Sequence, residues 1–291
     1  MTQLVIRHYA APKARLSLWL GIAVTLGALV FAIQLGAAWL TAHPMAAEGL
    51  QASLIAGLAT GLGAIPVLFM RRPQPSLMAP MLGLAGGMML AASFFSLLLP
   101  AVEHVAASTA PVPLALLTTV ALLAGASLMQ ALDRRFPHAH VETLNDNPVP
   151  PRLALVVVAI ALHNLPEGLA VGVAAAAGED HGMTLGIALQ NIPEGWIVAS
   201  ALLALGMPVW RAAAIALATG LVEPLGGLLG VITTSLAGAT LPLALAAAAG
   251  AMLWVVAHEL IPAAHQTGRI ATGTAGLASG FALMTVLAAL F

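Results

Sequence analysis

Nine long apolar stretches fill most of this chain, at about 16–41, 47–70, 76–107, 114–132, 152–177, 184–204, 208–236, 240–266 and 270–291. An α-helix needs roughly 20 apolar residues to cross the hydrocarbon of a bilayer, and each stretch is near or above that length. The breaks between them are short and rich in Pro, Gly or charge. Charged residues make up 7% of the chain, against about 25% in a soluble domain, so most of the surface must face lipid. A span in lipid has to satisfy its own backbone hydrogen bonds, which makes these stretches helices. The expected fold is an all-α integral membrane protein.

The positive residues give the direction. With the N-terminus in the cytoplasm, Arg7, Lys13, Arg15, Arg71, Arg72, Arg134, Arg135, Arg152, Arg211 and Arg269 all fall inside, as the positive-inside bias demands. Those are all 10 of the chain's Lys and Arg, and eight or ten spans would break the pattern. The C-terminus then lies outside. The first stretch follows a basic leader, but about 26 residues is too long for a signal-peptide core, so it is read as a retained helix. Residues 1–46 therefore form a cytoplasmic N-terminus and extra helix, and 47–291 an eight-helix core with a cytoplasmic loop at 133–151. A net charge of −1 argues against nucleic acid as a partner; the bilayer is the evident one. There is no cysteine, so a metal site has to use imidazole, carboxylate, amide or thioether.

Four acids interrupt the apolar helices: Glu167, Glu194, Glu223 and Glu259, with Glu103 near the end of the 76–107 helix. A charge at the bilayer centre costs a few kcal/mol, and no Lys or Arg lies at the same depth. The neutralising charge must therefore be mobile, a proton or a metal cation. Two of the acids sit in a repeated hexad. Residues 163–168 read His-Asn-Leu-Pro-Glu-Gly and residues 190–195 read Gln-Asn-Ile-Pro-Glu-Gly, on neighbouring antiparallel helices. At about 100° per residue, Glu167 is flanked on one helical face by His163 and Asn164, and Glu194 by Gln190 and Asn191. A carboxylate between two different ligands is placed to bridge two ions. The prolines at 166 and 193 remove a backbone donor and are expected to kink their helices. Glu223-Pro224 adds a third acid with its own proline. Histidine with carboxylate suits zinc and other first-row divalent metals better than magnesium or calcium.

With these motifs the chain resembles the ZIP (Zrt/Irt-like protein) divalent metal transporters, in particular their bacterial GufA-like branch. The resemblance covers about residues 47–291; the first helix lies outside the usual pattern. It implies uptake of divalent metal, zinc first and cadmium, iron or manganese as alternatives, across the bacterial cytoplasmic (inner) membrane through a two-metal centre. One site would use His163, Glu167, Gln190 and Glu194 with Met89 nearby, and the second Asn164, Glu167, Asn191, Glu194 and Glu223. Some relatives carry Asp where this chain has Asn191, so the second site here has one charge fewer. A homodimer is also implied, as is an elevator-like motion of the 47–70, 152–177, 184–204 and 208–236 helices against the others. The metal is cargo, and no cofactor is expected.

Other residues are placed along a route. Glu103 and His104, with Glu179, Asp180 and His181 in an outer loop, could gather cations. On the inner side His258 and Glu259 could form a transient site, with His265 on the same stripe and His138 and His140 in the loop. Two rival readings compete with transport. An intramembrane metal-dependent hydrolase is suggested by His258-Glu259, but Pro262 stands where an H-E-x-x-H motif needs its second His. A proton-coupled carrier of organic cations would use the acids and leave the His, Asn and Gln unexplained.

Overall fold

A computed structural model describes residues 34, 38–70, 74–135, 150–178, 180–236, 240–266 and 268–290. The expected first helix at 16–41 lies almost wholly outside these residues, as does 136–149 of the expected loop. The chain divides into a unit of residues 1–47 and a unit of residues 48–291. In the first, the His43 ring stacks on Trp39 at 4.4 Å.

The helices run in the order α1 (Pro44–Ala64), α2 (Pro75–Ala92), α3 (Leu99–Ala106), α4 (Pro111–Arg135), α5 (Pro150–Ala177), α6 (Asp180–Ala204), α7 (Val209–Gly220), α8 (Glu223–Leu236), α9 (Leu241–Val255), α10 (Ile261–Gln266) and α11 (Ile270–Leu290). No strand occurs among the described residues. Several form continuous spans: α1 with a closing 3-10 turn, α2 through α3, α7 with α8, and α9 through α10. Among the described residues, 7 helices are long and apolar enough to cross a membrane, and α5 adds a further helix of 28 residues. These helices coincide with the apolar stretches from 47 onward, so the chain is an all-α membrane protein.

Local chemistry sets the ends. Proline opens several helices, because at the first turn its missing N–H costs nothing. The last turn of α6 closes on Gly206 at φ 81°, where the Met207 N–H donates back to the Leu202 carbonyl at 3.1 Å. That left-handed residue is the usual helix stop, and glycine takes it without steric cost.

Internal prolines act in two ways. α5 and α6 continue unbroken through Pro166 and Pro193. The 208–236 stretch, expected as one helix, breaks at Leu221 and Val222, and Glu223 becomes the first residue of α8. Pro224 cannot donate a backbone hydrogen bond, so it belongs in a first turn, and Leu225 N–H starts the new ladder on the Val222 carbonyl at 3.0 Å. Two spans widen into π-helical turns, at Ser93–Leu98 and Val256–Leu260. Each lies just ahead of a proline, Pro100 and Pro262, whose missing donor frees a carbonyl upstream.

Packing follows membrane rules. Lipid is as apolar as leucine, so helices associate through close backbone approach at small residues. Broad interfaces join α2 with α11, α5 with α8, and α4 with α9. A Cβ on Gly83 or Gly87 would run into the α11 backbone, one on Gly172 into the Gly227 backbone of α8, and one on Gly125 into Ala247 of α9. Leu116, Leu117, Val120 and Leu123 of α4 stay exposed, as a lipid-facing surface requires.

Candidate metal centre

The two hexads sit on α5 and α6, and the break between α7 and α8 presents Glu223 to them. Their glycines permit the approach. A Cβ on Gly168 would strike the Glu223 carbonyl, and one on Gly195 the Thr60 carbonyl of α1. The sixth residue of each hexad is therefore where a neighbouring backbone passes at contact distance. That brings three helices and the start of a fourth around a buried polar knot.

Asn164, Glu167, Gln190, Asn191 and Glu223 are all buried, four of them with no exposed surface. Glu194 is partly exposed. Gln190 Nε2 donates to Glu167 Oε1 at 3.1 Å. Asn191 Nδ2 donates to Glu223 Oε1 at 2.6 Å and to the Ala56 carbonyl of α1 at 2.8 Å. The three carboxyls are electrostatic neighbours, Glu167 acting on Glu194 and both acting on Glu223. No fixed cation is near them in sequence: α5 carries Arg152 in its first turn, and residues 153–210 and 212–268 contain no Lys or Arg.

Six buried side-chain atoms here have no hydrogen-bond partner: Asn164 Nδ2, Glu167 Oε2, Gln190 Oε1, Asn191 Oδ1, Glu194 Oε1 and Glu223 Oε2. Each such atom costs about 1–3 kcal/mol when left unpaired, and buried polar groups are ordinarily satisfied. Five of the six are oxygens. A cluster of unpaired oxygens with three acids and no fixed counter-charge has the chemistry to receive a cation. Among the described residues, no three His, Asp or Glu side chains are gathered closely enough to hold an ion by themselves. The amides share the acids' contacts and would have to share an ion as well.

The remaining sequence candidates are placed as follows. His163 Nε2 lies 2.9 Å from Glu259 Oε1, so Glu259 meets the first hexad directly. Its neighbour His258 goes elsewhere, with Nε2 3.3 Å from Asp133 Oδ2 of α4 and its ring tilted over Trp254 at 4.8 Å. Both stand on the π-helical turn. His265 Nε2 lies 3.2 Å from Thr274 Oγ1 of α11. Met89 is buried in the apolar core with Val171, Ile187 and Met252, and its carbonyl accepts from Ser93 Oγ at 2.7 Å. Glu103 and His104 are exposed on α3, away from the hexads in sequence, and His104 Nδ1 lies 2.9 Å from the Pro100 carbonyl. The side chains of Glu179, Asp180, His181, His138 and His140 lie outside the described residues. Sequence reasoning did not find the Ala56 carbonyl, a backbone atom with no sequence signal. It also missed Asp133 as the partner of His258, although an acid at the end of an apolar helix was visible.

Residues 133–288 match the family model for ZIP zinc transporters. The chain is 44% identical over 246 residues to the zinc transporter GufA of Myxococcus xanthus, a match covering 82% of this chain and 97% of that protein. It is 40% identical over 236 residues to the zinc transporter ZIPB of Bordetella bronchiseptica, covering 79% and 76%. With the zinc transporter ZupT of Stenotrophomonas maltophilia it shares 34% over 260 residues, covering 83% and 95%.

Proposed function

The chain belongs to the ZIP zinc transporter family, and on that footing we propose that it carries divalent transition-metal cations, zinc first, into the cytoplasm through the centre on α5, α6 and α8. The observation that carries this reading is the set of unpaired buried oxygens on Glu167, Gln190, Asn191, Glu194 and Glu223. A permanent cation would have been supplied by a Lys or Arg; the charge these acids need comes and goes. The family is one of transporters, so the centre moves an ion and performs no hydrolysis.

The first donor group is His163, Glu167, Gln190 and Glu194, the second Asn164, Glu167, Asn191, Glu194 and Glu223. Imidazole with carboxylate favours zinc-like ions, and nothing in an N/O donor set excludes cadmium, iron or manganese. With the N-terminus in the cytoplasm, the π-helical turn at Val256–Leu260 lies in the inner half. The contact from His163 to Glu259, and the separate pair His258 with Asp133, then mark successive steps on the way in. Glu103 and His104 fall at the outer end of α3, where they would attract cations from solution.

The glycine contacts favour motion between two sets of helices. Backbone-to-backbone locks join α1, α5, α6, α7 and α8 to one another, through Gly57 with Gly220, Gly63 with Ile192, Gly168 with Glu223 and Gly172 with Gly227. Others join α2 to α11 and α4 to α9. Across the divide the tight glycine contact is with a side chain, Gly186 with Met284. Flexible side chains slide more easily than interlocked backbones, and the metal-binding acids all ride on the first set.

Uptake into proteoliposomes tests the proposal. Wild-type protein should accumulate zinc, and Glu167→Ala and Glu194→Ala should each lose uptake together with tight binding. Normal uptake by Glu167→Ala would remove the centre from the route.

A further inference from the structure

The two donor groups are not equivalent, because an amide already occupies the place of a cation in one of them. Asn191 Nδ2 has two hydrogens, and both are committed, one to Glu223 Oε1 at 2.6 Å and one to the Ala56 carbonyl at 2.8 Å. The assignment of nitrogen to that position follows from chemistry: a backbone carbonyl only accepts, so the atom facing Ala56 must be the donor. The positive end of the amide dipole therefore sits between a carboxylate and a carbonyl oxygen. An amide nitrogen carries no lone pair for a metal, so in this arrangement the residue offers an ion only its other atom, Oδ1.

Charge makes the inequality larger. An ion in the first group draws on Glu167 and Glu194, and the second group shares both. Only Glu223 is left as a negative charge belonging to the second group alone, and it is the one the amide holds. A second dication would enter a buried site with too little charge to offset its lost hydration. Asp in the same place would behave in the opposite way. Its carboxylate would face Glu223 Oε1 and the Ala56 oxygen with nothing between them, and only a cation or a proton would relieve that repulsion.

We infer that Asn191 acts as a built-in substitute for the second ion, so that the centre of this chain fills with one divalent cation where an aspartate at this position would call for two. The inference deepens the transport reading of the centre and rests on it. It makes Asn191 a positioning residue that ties α1, α6 and α8 together whether or not metal is bound.

Ion counting tests it without transport. Purified wild-type protein and Glu167→Ala are saturated with cadmium and the bound ions counted by elemental analysis, with cadmium NMR reporting the number of distinct sites. Subtracting the Glu167→Ala count removes surface histidines. The expected result is one Glu167-dependent ion per wild-type chain, and two in the Asn191→Asp chain with a second resonance. Two Glu167-dependent ions in the wild type would overturn the inference and leave the transport reading standing. No Glu167-dependent ion would overturn both. A folded Asn191→Asp protein that gains no ion would also overturn it, and if that variant fails to fold the wild-type count alone decides.

Discussion

Replacing Gly168 with alanine isolates how far the centre depends on backbone approach. The added Cβ would collide with the carbonyl oxygen of Glu223, and carbon–oxygen contacts rest at about 3.3–3.6 Å, so α5 and α8 must part by about 1.5 Å. Overpacking of this kind costs about 1–3 kcal/mol. Alanine gains back about 0.8–1 kcal/mol in helix propensity, so net stability should fall by only about 0–2 kcal/mol. Metal binding has no such offset. Ligand distances tolerate only about 0.2 Å, and the shift carries Glu167 on α5 away from the donors that share its ion. Affinity for zinc should fall at least tenfold, about 1.4 kcal/mol, with little loss of folded protein. The assay pairs thermal unfolding in detergent with zinc titration of the same sample. Gly178→Ala is the control: Gly178 has φ 76° and open space around its missing Cβ, so strain there should lower stability and leave zinc affinity unchanged. Wild-type zinc affinity in Gly168→Ala would refute the claim that this contact sets the geometry of the centre.

Three further outcomes are expected. Glu259→Gln keeps the shape but removes the charge beside His163, so central affinity should hold while the maximal uptake rate drops several-fold; an unchanged rate per folded molecule would take Glu259 off the inward route. Gln190→Ala strips Glu167 Oε1 of its donor and the centre of one oxygen, and zinc affinity should weaken by about tenfold, on the order of one charge-assisted contact; isothermal titration reads this directly, and full affinity would show that Gln190 is no ligand. Cysteines placed at Ala107 and Gly178 should react with impermeant reagents from outside, and cysteines at Gln74 and Gly206 should not; the reverse pattern would invert the proposed orientation.

The sequence alone determined that this chain lives in lipid, that it is helical, and which stretches from 47 onward are helical. Lipid forbids unpaired backbone, so length and hydrophobicity leave almost no alternative for such stretches. It also exposed the acids of the centre, because an ionisable group in an apolar helix has few explanations, and the repeated hexad paired them. Tertiary structure alone decided which atoms meet. Spacing placed His163 beside Glu167, yet the imidazole turns to Glu259 on another helix, since a helical face fixes direction and not partner. The break that makes Glu223 the first residue of α8 reads in sequence as one more proline in a long apolar run. The hexad glycines look like generic small residues until the carbonyls of Glu223 and Thr60 are seen against them. The role of Asn191 needed the Ala56 carbonyl, 135 residues away in the chain, and a backbone oxygen leaves no trace in the sequence that positions it.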